Sequence, residues 1–337
     1  MLRHRLWWAG GGVVIMLATA ITACDSSGSK PTAACASTTR SATVSVQARP
    51  PAVPTRGSYF GAFTLAGAAT QQDFINSFDS LAATACRPLD LAHVYLPWGT
   101  PFPTPAAVSF ARQGAVSLVS WTGTDTRTIN SGAVDTTITA TAHQIAALNS
   151  PVFLEFRWEM DRPNLRRVVH SPHDYIAAWD RVRRLFAAAG TTNVSWVWCP
   201  TANGFADGQA QAYYPGDSEV DWVCTDAYPS PTFGPQPYQP LRHLLRPFLN
   251  WAHGHDKPAM IGEFGVPRSY SPQRRAEWLE QAKTALTRGR QIKAVAYFDY
   301  NPPDVPLART YALGDDPQVV AAFRALAADP YFRPTTS

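Results

Sequence analysis

The chain is 337 residues long and carries 29 lysines and arginines against 25 aspartates and glutamates, a formal net charge of +4. Its basic residues never gather into the dense run of a nucleic-acid binder, so a nucleic-acid partner is not expected. Removing residues 1–23 takes away Arg3 and Arg5 and no acid, which lowers the charge to +2 and leaves charge uninformative about a partner.

The first residues read as an address. Arg3, His4 and Arg5 form a basic region, and Leu6 to Ala20 is apolar with a Gly10-Gly11-Gly12 break. Ile21-Thr22-Ala23-Cys24 then sets small residues directly before a cysteine, the layout of a signal peptide ending in a lipobox. Cys24 is the expected lipidated first residue of the mature chain. An uncleaved transmembrane anchor is the alternative, but the apolar run falls short of the ~20 residues that a spanning helix needs. Two acyl chains hold a protein stably at a membrane, so the expected location is extracytoplasmic, lipid-anchored to the bacterial cell membrane.

Residues 24–56 are rich in Ser, Thr, Ala and Pro and poor in large apolar side chains, which predicts a disordered tether. Residues 57–337 are rich in Trp, Tyr and Phe, and about 280 residues is close to the ~250 typical of a single (β/α)8 domain. With Cys24 committed to lipid, Cys35, Cys86, Cys199 and Cys224 form an even set in an oxidising compartment. The preferred pairings are Cys199 with Cys224, joining the ends of neighbouring strands, and Cys35 with Cys86, pinning the tether to the first helix. Four buried free thiols are the alternative. No cysteine or histidine spacing implies a metal, and no organic cofactor is expected.

Strand-like apolar runs occupy 59–65, 91–98, 116–121, 152–158, 194–199, 220–228, 259–266 and 292–300. Amphipathic helical stretches lie between them at 71–85, 137–148, 172–189, 241–255, 272–288 and 317–328. The second and fifth helices have no clear signal. Eight apolar runs alternating with helices predict parallel strands joined by crossovers, and this number and length favour a closed (β/α)8 TIM barrel over an open sheet. No dinucleotide glycine fingerprint follows the first strand.

Such barrels build their active sites at the C-terminal strand ends. The fourth strand ends Phe156-Arg157-Trp158-Glu159-Met160-Asp161, and the seventh ends Ile261-Gly262-Glu263-Phe264-Gly265. Two glutamates thus terminate strands that face each other across a barrel, as suits two carboxyl groups flanking one glycosidic bond. Lys257 to Gly265 resembles the nucleophile strand of glycoside hydrolase family 26, within the clan of retaining (β/α)8 glycosidases. Tyr213-Tyr214-Pro215-Gly216-Asp217 followed by Val220-Asp221-Trp222-Val223 is similar to that family's approach to strand six. Trp158-Glu159-Met160-Asp161 resembles its acid/base motif, usually His-Glu-Met-Asn. Trp158 and Asp161 depart from that pattern, and Glu155 stands where the family often carries an arginine.

The resemblance implies a two-glutamate retaining mechanism on β-linked polysaccharide, with endo-β-1,4-mannan as the family default and mixed-linkage β-glucan and β-1,3-xylan within its range. Glu263 is the implied nucleophile, Glu159 the acid/base, and Tyr228 a hydrogen-bond partner of Glu263. Trp158 and Trp98, near strand ends, are candidate sugar-stacking faces. His93, Tyr297 and Asp299 are further candidate substrate contacts; the last two share one side of the eighth strand. Arg157 shares alternating parity with Glu155 and Glu159, which predicts a buried salt bridge to them or a substrate contact. Rival readings are the same chemistry on an envelope glycan and a carbohydrate-binding lipoprotein without turnover. A monomer is expected.

Overall fold

The computed structural model describes residues 48–229, 238–302 and 305–336. The expected signal peptide, Cys24 and the Cys35–Cys86 pairing lie outside these residues, as does most of the tether.

Eight parallel strands close into a barrel in chain order: β1 (Tyr59–Leu65), β2 (Leu91–Leu96), β3 (Val116–Trp121), β4 (Val152–Phe156), β5 (Val194–Trp198), β6 (Trp222–Ala227), β7 (Ala259–Phe264) and β8 (Ile292–Tyr300). The strands are near-continuous apolar runs because each is covered on both faces, by the barrel interior and by the outer helices. Leu91, Leu118, Phe153, Trp222, Met260 and Ala296 pack inside the barrel. Val119, Leu154, Ile261, Val295 and Tyr297 point outward into the layer beneath the helices. This split decides which strand residues can reach the mouth.

Four helices start with a capping side chain followed by proline: Thr104-Pro105, Ser171-Pro172, Ser271-Pro272 and Asp316-Pro317. The cap oxygen accepts an otherwise orphaned backbone N–H, and proline at the first helical position loses no bond there. The second helix is present but short, Pro105–Arg112. Between β5 and β6 the chain forms only Ala202–Ala206 and a 3-10 turn, Ala210–Tyr213. Gly204, Gly208 and Pro215 interrupt any longer helical period there.

Residues 48–56 correct the extent assigned to the tether. The Ala48 amide donates to Asn149 Oδ1 at 3.3 Å, and the Tyr59 hydroxyl donates to the Ala52 carbonyl at 2.9 Å. Arg56 then pairs antiparallel with Thr335. Composition hid this docking because its bonds use backbone groups, with Pro51 and Pro54 buried beside them.

Candidate active site

β7 is bulged where it carries Glu263. Ile261 and Phe264 both point outward although three positions apart, and the pairing with β6 jumps from Thr225–Ile261 to Asp226–Glu263. The bulge turns Glu263 toward the barrel mouth, a use of bulges common beside active sites. Position 262 must be glycine: a Cβ there would lie 2.8 Å from Asp226 Oδ1, 2.8 Å from Cys224 Sγ and 2.9 Å from Glu155 Oε1.

Two phenols hold Glu263. The Tyr228 hydroxyl donates to Oε2 at 2.5 Å, and the Tyr95 hydroxyl donates to Oε1. Burial and the Glu159 charge push Glu263 upward in pKa, while the two tyrosine bonds oppose that rise. Tyr95, on β2, was not among the expected residues. Its signal was present, since it shares inward parity with Leu91 and His93. Phe63 lies 4.9 Å from Tyr95, and Phe298 lies 6.0 Å from Tyr228, forming an aromatic wall behind both phenols.

Glu159 sits beyond β4 in a left-handed conformation, φ +52°, with its amide bonded to the Cys199 carbonyl at 2.7 Å. Asp161 accepts from the Thr201 amide at 3.0 Å and from its hydroxyl, which ties this loop to the one after β5. Backbone strain held by such surroundings is typical of functional sites. Arg162 Nη1 lies 2.5 Å from Glu159 Oε2. Burial raises the Glu159 pKa and the Arg162 charge pulls it back. Trp158 packs against Tyr95, ring centroids 5.2 Å apart, so one expected sugar platform does reach the carboxyl cluster.

Other expected contacts fall elsewhere. Arg157 bridges neither Glu155 nor Glu159; its guanidinium donates to the Thr124 carbonyl at 2.7 Å. Strand alternation does not extend to Arg157, because β4 ends at Phe156 and Arg157 turns to φ +50°. His93 is buried below Tyr95, with Nε2 2.7 Å from Ser120 Oγ, and burial lowers its pKa to about 3. Its ring packs against that of Tyr95, with centroids 4.6 Å apart. Ser120 in turn donates to Glu155, which is fully buried.

Tyr297 and Asp299 both face outward, since Ala294 and Ala296 take the interior positions of β8. Tyr297 packs on Phe323 beneath the helices, and Asp299 accepts from the Thr64 hydroxyl and the Leu313 amide. Trp98 stacks on Trp121 at 4.9 Å, and Trp121 belongs to the outer layer, so Trp98 lies over the barrel wall. Cys199 and Cys224 form the expected disulfide, placed inside the barrel. Asp226 is buried, with Oδ2 lacking a hydrogen-bond partner, and burial beside Glu263 and Glu155 raises its pKa strongly.

No family model matches the chain. Endoglucanase H of Acetivibrio thermocellus is 24% identical over 276 residues, 77% of this chain and 29% of its own length. A beta-1,3-xylanase from a Vibrio species is 30% identical over 156 residues, 44% of this chain and 30% of its own length. The chain thus spans under a third of these curated relatives. Among solved structures, the modular endo-beta-1,4-mannanase of Cellulomonas fimi superposes with a TM-score of 0.62 at 16% identity, covering 82% of this chain and 71% of that one. The glycoside hydrolase family 26 beta-mannanase of Bacteroides ovatus gives 0.64 at 14%, covering 82% and 90%. The resemblance to glycoside hydrolase family 26 is borne out. The (β/α)8 fold is common to these family 26 structures and to this chain.

Proposed function

We propose that the protein is a retaining glycoside hydrolase acting on a β-linked polysaccharide or oligosaccharide, with Glu263 as nucleophile and Glu159 as acid/base. The observation that carries this reading is the bulged Glu263 gripped by one phenol on each carboxyl oxygen, from β2 and from the end of β6. Two neutral donors orient the carboxylate and stabilise its charge without neutralising it, as a nucleophile that must attack an anomeric carbon requires. Glu159, raised by burial, carries the proton to the leaving oxygen and then takes one from water in the second step.

Mannan is the default polymer, supported by the solved mannanases of the same fold. A second reading, β-1,3-xylan or β-glucan, is supported by the curated sequence relatives, the Vibrio beta-1,3-xylanase at 30% identity over 44% of this chain and endoglucanase H at 24% over 77%. Trp158, in place of the family's usual histidine, gives the cleavage subsite a flat apolar face that suits either. The test is hydrolysis of β-mannan, mixed-linkage β-glucan, β-1,3-xylan and envelope glycans by the wild type and by Glu263→Gln. Cleavage of one polymer, lost in the variant, supports the reading and names the substrate. Folded wild type that cleaves none of them overturns it in favour of a binding protein.

The same proposal places the enzyme outside the cytoplasm on a lipid carried by Cys24, motivated by the lipobox pattern. Mass spectrometry of the mature N-terminus checks this; an unmodified Cys24 in the native host would reject the anchor.

A further inference from the structure

The mouth gathers the carboxyls of Glu155, Glu159, Asp161, Asp226 and Glu263 around Arg162, with Arg166, Arg167, Arg268 and Arg309 in the loops about it. The opposite end, where β7, β8 and β1 begin, presents Lys257, Arg288, Arg290, Lys293, Arg56 and Arg333. Arg56, Arg288, Arg290 and Arg333 are exposed, the two lysines half-buried, and none of the six makes an ion pair among the described residues.

These cations share one continuous surface. Arg56 pairs with Thr335, and Gly57 packs against the Arg333 carbonyl. The Tyr331 hydroxyl donates to the Gly289 and Ile292 carbonyls, and Gln291 Nε2 donates to the Lys257 carbonyl. Asp256 and Asp329 supply acids in the same turns, Asp329 occupied capping the Tyr331 amide, and Asp217, bonded to His255, lies near Lys257. Lys257 and Arg290 also line an open hollow of about 770 Å³ with His253.

The chain enters the domain across this same end, through the docked stretch from Ala48 to Arg56. Val53 on that stretch is 46% exposed, one of two large apolar side chains so exposed among the described residues. No described helix is long and apolar enough to cross a membrane.

We propose that this basic end of the barrel lies on an anionic phospholipid surface, with the active-site mouth pointing away from it. A negatively charged bilayer attracts juxtamembrane Lys and Arg within a Debye length of its surface. The docked segment and the six cations share this end of the barrel, and together they select one orientation. The catalytic groups then face glycans beyond the membrane, and the docked segment enters the domain on the membrane side. The surface assignment stands independently of the glycosidase reading, because it uses none of the mouth residues for contact.

The test is flotation of the full-length chain carrying Cys24→Ala on phosphatidylcholine vesicles with and without phosphatidylglycerol. The apolar N-terminal residues contribute to both vesicle types and the basic Arg3-His4-Arg5 stretch to the anionic ones in every variant, so the loss on substituting the barrel-end cations reports the charged surface. The expected result is tighter binding to the phosphatidylglycerol vesicles, on the order of a hundredfold at low salt. That preference disappears in high salt and falls in the Arg288→Glu, Arg290→Glu, Arg333→Glu triple variant. An environment-sensitive dye on Thr336→Cys shifts to the blue on these vesicles, whereas one on Arg166→Cys, beyond β4 at the mouth, does not. Equal binding to both vesicle types, a preference unchanged by salt, or a matching shift at Arg166→Cys would each overturn the proposal. The contrast between the dyes at Thr336→Cys and Arg166→Cys decides the matter even if the triple variant fails to fold.

Discussion

Glu263 and Glu159 are both buried glutamates at strand ends, yet they are held by different chemistry. Glu263 stays within its strand, re-aimed by a bulge, and receives two neutral hydroxyl donors. Glu159 lies outside its strand at φ +52° and receives one full positive charge from Arg162. Neutral donors fix direction while leaving the carboxylate's charge available for attack. A charged partner chiefly sets the proton affinity, which is the property that an acid/base must have tuned. The difference between the two surroundings matches the two roles proposed for them.

The strongest way to break that assignment is to neutralise each glutamate in turn. Glu263→Gln is expected to lower kcat by roughly a thousandfold or more, because no other group in the mouth can replace a nucleophile. Glu159→Gln should fall less for a substrate with a good leaving group, which needs little proton donation. Steady-state kinetics on an activated aryl glycoside separates the two; equal losses on that substrate would refute the division of labour. Next in size are Tyr95→Phe and Tyr228→Phe. Each removes one donor to a charged oxygen, worth about 1.5–3 kcal/mol, so each should cost about ten- to a hundredfold in kcat/KM. Both bonds lower the Glu263 pKa, so their loss should also move the acid limb of the pH–rate profile to higher pH.

Much of this contrast was legible in the chain itself. The barrel, its eight strands and both glutamates follow from apolar runs and from the rule that chemistry sits at C-terminal strand ends. Alternation along a strand also held where strands stayed regular: Tyr95 shares the inward side of His93, and Ala294 with Ala296 sends Tyr297 and Asp299 outward. Alternation failed at Arg157 and at Gly262-Glu263, where a left-handed residue and a bulge break the period of two. Those features arise from contacts between distant segments, such as the crowding of Asp226, Cys224 and Glu155 against Gly262. Small side chains in these places are visible in a sequence, but what crowds them is not. The docking of 48–56 is invisible in composition for a related reason, since composition reports side chains and its bonds are made by backbone.

Arg162→Gln sharpens the comparison from the acid/base side. Burial raises the Glu159 pKa and Arg162 lowers it, so removing the guanidinium should move the alkaline limb of kcat/KM to higher pH. The change in rate at the optimum should be only a few-fold, because a partly exposed ion pair contributes about 0–1 kcal/mol. The pH–rate profile is the measurement. A shift of the acid limb alone would place Arg162 on Glu263 and undo the pairing of charge with acid/base.

The smallest effect comes from beneath both glutamates. Glu155 is buried without a cation, and burial with the neighbouring Glu263 and Glu159 charges raises its pKa to about 8, against an ordinary value of 4.5. The folded protein therefore holds a proton there that the unfolded chain releases near its ordinary value. Glu155's contribution to stability is complete below that value and declines as pH rises toward about 8, because only the unfolded chain ionises freely in that window. Glu155→Gln keeps the shape and the bond with Ser120 but cannot ionise. Its melting temperature should match the wild type near pH 5 and exceed it by a few degrees near pH 9. The other raised carboxyls, Glu159, Asp226 and Glu263, act in the same direction in both proteins, so the difference between the two melting curves isolates Glu155. A constant offset at every pH would mean that Glu155 is ionised throughout. The negative charge beneath Glu263 would then be a permanent part of the site, and the grip of two neutral phenols would have to hold the nucleophile against it.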